Sequence, residues 1–126
     1  MRILIIVSLL LLFILGGALA GYYTINSTTD HMVKNLEQLY KETEQNNWKK
    51  ARQTHRQIIK DWDRANTIYS YFVDHGQLHD LDITLHKTSE LLKFEEKKQV
   101  IPEIGVALDL IQNIKEEEKL LLENIL

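Results

Sequence analysis

Asp74 to His86 reads DHGQLHDLDITLH, the densest set of metal-ligating side chains in the chain. On a helix His79, Asp82 and His86 fall at i, i+3 and i+7 and share a face. Two imidazoles and a carboxylate are a donor set for zinc or another transition ion. The apolar stripe of the same helix runs through Leu78, Leu81 and Leu85, about 100° away. Nothing in the pattern therefore closes or shields the triad, and a solvated polar face is the preferred reading. No metal and no cofactor are expected.

Charge offers a second kind of chemistry. Lys49, Lys50, Arg52, Arg56, Lys60 and Arg64 stand among only two acids, and Arg52, Arg56 and Lys60 are four apart. Lys49, Arg52, Arg56 and Lys60 thus form a stripe that could dock an anionic headgroup, an anionic wall polymer or an acidic partner. The competing and preferred reading is intramolecular. Residues 74–96 and 103–126 are both acidic, so a basic helix could be flanked by two acidic ones. Glu116, Glu117 and Glu118 read as solvated helix surface. No G-x-S-x-G, HExxH, P-loop or dinucleotide fingerprint occurs, and an enzyme is not expected. Asn26-Ser27-Thr28 matches a glycosylation sequon, a short pattern that decides nothing alone.

These residues must be positioned by helices, since no period-2 strand pattern of useful length is present. A first amphipathic helix is expected to start between Ser27 and Asp30, residues suited to N-capping. It carries Met32, Val33, Leu36, Leu39 and Tyr40. The second is the clearest element. Trp48, Ala51, His55, Ile58, Trp62, Ala65, Tyr69 and Phe72 alternate three and four apart, a heptad-like seam. Asn46 or Asn47 is its expected cap and Gly76 its stop, giving about 28 residues and roughly 42 Å. Both tryptophans and His55 read as core. A third helix carries Leu78, Leu81, Leu85, Thr88 and Leu92, broadened by Leu91 and Phe94. Pro102 is expected in the first turn of a fourth, with Ile104, Ala107, Leu108, Ile111, Ile114, Leu121 and Ile125 inward and a shifted stripe through Leu122.

Ahead of all this stands the one long apolar run. From Ile3 to Tyr23 no residue is charged, and the run closes on Gly16-Gly17-Ala18-Leu19-Ala20-Gly21. Two readings compete. Arg2, a dense aliphatic block and the small residues of Ala18-Leu19-Ala20 suit a secretory signal cut after Ala20. The whole uncharged span, about 30 Å as a helix, equally suits a bilayer core of about 30 Å, with Tyr22 and Tyr23 at the interface. The retained anchor is preferred, because no Ser/Gly/Pro-rich tether separates the run from the amphipathic pattern. Arg2 places the N-terminus in the cytoplasm in either case.

The 126 residues contain no cysteine, which excludes a disulfide scaffold, a thiolate site and a lipidated-cysteine anchor. A net charge of −3 argues against general nucleic-acid binding. The expectation is an all-α chain: an N-terminal transmembrane helix over residues 1–23, then an antiparallel three- to four-helix bundle over 24–126.

The anchor, the helix NWKKARQTHRQIIKDWDRANTIYSYFVDH, the L-x-x-L-D-x-x-L pattern and the acidic tail ending ENIL together resemble one family. It comprises short membrane-anchored proteins of Gram-positive bacteria known only as a domain of unknown function. Trp48, Trp62, His75 and Asn124-Ile125-Leu126 are the matching positions; His86 departs from the basic residue expected there. The resemblance implies a bacterial plasma membrane, a single pass with the C-terminal domain extracytoplasmic, and a companion envelope or membrane protein, a multi-pass one included. It implies no catalytic or binding residues. The resulting expectation is a non-catalytic anchored module that binds or stabilises such a partner. The alternatives are a secreted metal- or small-ligand-binding protein centred on His79, Asp82 and His86, and self-association through the second-helix seam.

Overall fold

The computed structural model describes residues 1–71 and 73–125, and within them the side chains of all but Tyr22, Thr24, Ile25, Leu121, Leu122 and Ile125. Four helices follow in order: α1 (Arg2–Glu44), α2 (Trp48–Tyr69), α3 (His75–Lys93) and α4 (Lys97–Ile125). Each is joined to the next by three to five residues, so neighbours run antiparallel. α1 packs on α2 and α4, and α3 packs on the same two, which closes a four-membered ring with α2 and α4 on one diagonal. The all-helical bundle is as expected, and it uses four helices.

The apolar run and the first bundle helix are one element. α1 is 43 residues without a break, about 65 Å long. The expected start at Ser27–Asp30 is thus corrected. Those residues sit mid-helix, where their N–H groups already have carbonyl partners a turn earlier, so no cap is needed. The first half of α1 touches little. Its large apolar residues from Ile3 to Leu15 are 48 to 79% exposed. It is the one helix among the described residues long and apolar enough to cross a membrane. The second half is amphipathic, and Met32, Leu36 and Leu39 enter the core, while Tyr40 stays at the surface.

The α2 seam is as the spacing dictates. Ala51, His55, Ile58, Trp62, Ala65 and Tyr69 are buried, Trp48 is half-buried at the end, and Phe72 lies outside the described residues. The helix is nevertheless shorter than expected. It stops at Tyr69, and Gly76 belongs to the first turn of α3, where its N–H donates to the Asp74 carboxylate. An aspartate cap two residues upstream outweighs the glycine as a stop signal.

On α3 and α4 the inward residues are Leu78, Leu81, Leu85, Thr88, Leu92, Ile104, Ala107, Ile111 and Ile114, with Leu108 half-buried. Leu91 adds to this face but Phe94 is exposed. Leu121, Leu122 and Ile125 lie outside the described side chains. Pro102 is not in the first turn: α4 begins at Lys97, with Val100 already bonded to the Glu96 carbonyl. The proline leaves the Lys98 carbonyl without an N–H partner, and Lys98 is exposed, so water can take its place.

α1 and α3 end in the same way. Asn47 and Asn46 N–H donate to the Glu42 and Thr43 carbonyls, and Glu96 and Glu95 N–H donate to those of Leu91 and Leu92. This is the Schellman arrangement, which needs a left-handed residue, here Asn46 (φ 57°) and Glu95 (φ 54°). Asparagine tolerates that region; glutamate does so at a cost. Glu95→Gly should therefore raise the unfolding free energy by about 1 kcal/mol. The exposed, long Arg52–Glu95 pair it removes contributes less. Urea unfolding measures the gain.

Candidate functional site

The His79, Asp82, His86 triad is not assembled as a ligand set. The Asp82 carboxylate accepts from the Trp62 indole N–H at 3.2 Å, and His86 Nδ1 bonds the Asp82 backbone carbonyl at 2.8 Å. His79 is exposed. No group of three or more His, Cys, Asp or Glu side chains placed to hold a metal ion occurs among the described residues. Asp82 instead ties α3 to α2, a role invisible until the two helices are in register.

His55 makes the companion tie. Its Nε2–H donates to the Leu85 carbonyl at 2.9 Å from within the core. Burial pushes this imidazole below its ordinary value; the backbone bond opposes that and His86 adds to it. The folded chain therefore holds the proton less tightly than the unfolded chain does. Stability is intact above pH 6.5, the unfolded value, and falls as the pH drops below it. His55→Gln keeps a donor for Leu85 and should flatten this acid slope. Melting curves between pH 7 and 5 on both proteins give the comparison.

The basic stripe lies on the solvent side of α2. Lys49, Arg56 and Lys60 are exposed and form no ion pair among the described residues, while Arg52 approaches Glu95 at 3.6 Å. The expected flanking of α2 by two acidic helices is corrected. α2 touches α3 but lies diagonal to α4, so the second acidic helix cannot neutralise it. The acids and bases of α3 and α4 pair elsewhere. Lys87 meets Glu103 at 2.9 Å, and Lys115 meets Asp30 of α1. Of the Glu116–Glu118 run only Glu116 is solvated surface; Glu117 and Glu118 are half-buried, and for Glu118 the partners are on hand. Burial pushes its carboxyl up, opposed by the Tyr69 hydroxyl and Lys115, and the Tyr69 hydroxyl donates to it at 3.4 Å. Burial likewise holds the Tyr69 phenol well above its ordinary value, and its oxygen also meets Thr29.

One cleft went unread in the sequence. It lies between α1 and α2 at the end of the bundle where the apolar run emerges, and it holds about 650 Å³. Tyr23, Asn26, Ser27, His31 and Lys34 line it from α1, and Gln57, Asp61 and Arg64 from α2. The α1 residues recur at helical spacing on one face, a pattern hidden by the lack of any apolar or charged run. Asp61, itself buried, accepts from His31 Nδ1 at 2.8 Å and from the Gln57 amide at 3.1 Å. Asp30, on the same wall, is held by Lys115. Lys34 and Arg64 are exposed and without an ion pair among the described residues. Asn26 and Ser27 of the sequon stand in this wall.

A family model described as Domain of unknown function (DUF4363) matches residues 19–125, the whole bundle and the last residues of the apolar run. No curated protein and no solved structure matches the chain.

Proposed function

The chain belongs to this family of unknown function, and from that premise we propose that it is a single-pass membrane-anchored helical module of a bacterial cell envelope, which binds or stabilises a membrane or envelope partner without catalysis. The observation that carries the reading is the unbroken α1. Its first half is apolar and exposed, its second half supplies Thr29, Met32, Leu36, Leu39 and Thr43 to the core, and no hinge separates them. An apolar surface of that length is a poor fit to water and a good fit to hydrocarbon. A helix continuous from bilayer to bundle fixes the bundle's height and tilt, which favours docking on a membrane protein at high local concentration.

With the N-terminus cytoplasmic, the bundle and the unpaired cations Lys49, Arg56 and Lys60 face outward. That stripe is the proposed partner surface, because no neighbouring helix neutralises it. Carbonate extraction tests the anchor. Recovery in the membrane pellet at full-length mass supports it, and a soluble fragment starting at Gly21 overturns it in favour of the secreted form. That second form has one observation behind it: no buried residue precedes Thr29 among the described residues, so cleavage after Ala20 would spare the core.

A further inference from the structure

The turn after α2 and the last turns of α4 both descend to the level where α1 leaves the apolar run. Three contacts set the register of α2 on α1: Thr54 with Glu42, Asp61 with His31 and Tyr69 with Thr29. Tyr71 lies 17, 10 and 2 residues past these α2 partners, so it stands opposite residues 25, 21 and 27 of α1. At 1.5 Å per residue, that runs from about 3 Å on the bilayer side of Tyr23 to about 6 Å beyond it. The winding persists that far, since the Tyr71 and Val73 N–H groups donate to the Ile68 and Tyr69 carbonyls. On α4, Lys115 meets Asp30, and the Tyr69 hydroxyl joins Glu118 to Thr29. Leu120, five and two residues further on, stands opposite residues 25 and 27, about 3 and 6 Å beyond Tyr23. A headgroup layer is roughly 5–8 Å deep on each side of the hydrocarbon. Tyr23 marks its inner edge in the anchored reading above, on which this inference rests. Tyr71 and Leu120 therefore fall within that layer.

The residue types suit the place. Tyr71 is 80% exposed and Leu120 59%, beside Tyr23 at 71%. They occupy three of the four corners of the bundle's base, because α1 stands between the diagonal pair α2 and α4. Asp74 and His75, at the start of α3, make the fourth corner polar. A tyrosine keeps its ring in an apolar layer and its hydroxyl wet, the usual arrangement at a membrane interface. Leu120 leans toward the N-terminus of α4, away from the bilayer, which keeps it among headgroups. Charge does not draw this surface down. Lys119 and Glu123, both exposed, oppose one another there, and the exposed Asp74 and Glu116 add two acids just above. Glu123 also limits the depth, since a carboxylate is costly in hydrocarbon.

We propose that the base of the bundle is a second membrane contact, with Tyr71 and Leu120 seated beside Tyr23 among the headgroups of the bilayer. A single spanning helix tilts by about 20° on average, and three corners at one level fix that tilt. Two side chains at this depth do not hold the chain to a bilayer without α1.

The test uses the full-length protein in phosphatidylcholine vesicles, with a nitroxide on Ser70→Cys, an exposed neighbour that leaves Tyr71 and Leu120 in place. Power-saturation EPR reads collisions with a water-soluble nickel chelate. Gln53→Cys, exposed and about 30 Å beyond Tyr23, is the reference. Collisions at position 70 should be about threefold fewer than at 53. Y71S/L120S should raise them to the level at 53, with the circular dichroism unchanged because neither side chain is in the core. Added phosphatidylglycerol should not deepen the shielding. Equal collisions at 70 and 53, or shielding that survives Y71S/L120S, overturns the proposal. Shielding that needs phosphatidylglycerol would make this a charge contact and overturn the apolar seat. Shielding that grows with the protein-to-lipid ratio would make a second copy of the chain the cover and overturn the lipid assignment. Vesicle flotation of the same samples reads anchoring separately: a protein that floats with position 70 open to nickel keeps its anchor and loses this seat.

Discussion

Trp62→Ala lowers the unfolding free energy by about 3–5 kcal/mol, the largest loss expected from any single truncation in the bundle. Trp62 is 1% exposed and is among the largest side chains in the core. It sits mid-seam, where α2 meets α3, so the surrounding helices cannot collapse into the space without moving α2. Its indole N–H also donates to Asp82, and the truncation leaves that half-buried carboxylate without its partner. A domain of this size has a total stability of about 5–15 kcal/mol, so the variant stands near the limit of folding. Trp48→Ala, at the half-buried end of the same seam, should cost less than half as much. Urea midpoints, read from the fluorescence of whichever tryptophan remains, separate the two. Equal losses would mean that the seam does not bury its centre more than its end.

Leu11→Lys combined with Leu12→Lys should abolish membrane association while leaving the bundle folded. Each leucine-to-lysine change near the middle of a spanning helix costs about 3–4 kcal/mol of insertion, so the pair costs about 6–8 kcal/mol. Both positions are exposed and remote from every core residue, so the bundle has no reason to notice. Flotation with vesicles should move from the top of the gradient to the bottom, with the urea midpoint unchanged. A variant that still floats would mean that the proposed span is not what holds the protein to the bilayer.

Much of the fold was legible because burial follows period. The residues of α2 three and four apart from Ala51 to Tyr69 are inward, and so are the leucines of α3. Helix ends were harder to read. Ser27 to Asp30 look like a cap, yet the helix is already running when it reaches them. Gly76 looks like a stop, yet Asp74 captures its N–H as the start of the next helix. Pro102 looks like a first turn, yet an exposed carbonyl tolerates it one turn later.

Surfaces were the least legible, because they depend on which helices are neighbours. The acidic α4 was expected beside the basic α2, and the ring of four places it across the diagonal. His79, Asp82 and His86 share a helix face on paper, but Asp82 is engaged by a tryptophan 20 residues upstream. The α1–α2 cleft depends on His31 meeting Asp61, 30 residues away, which only the antiparallel register provides. Short-range spacing carries information about what is buried, and little about what is brought together at the surface.

The absence of cysteine makes the central claim, a bundle held outside the membrane by an intact α1, directly measurable. Gln53 is exposed on α2, well away from the apolar run, so Gln53→Cys provides a single thiol on the bundle. In washed, intact Gram-positive cells expressing the full chain, a membrane-impermeant maleimide should label this thiol on a membrane-bound protein of full-length mass. Labelling that appears only after the cells are broken would put the bundle in the cytoplasm and contradict the account.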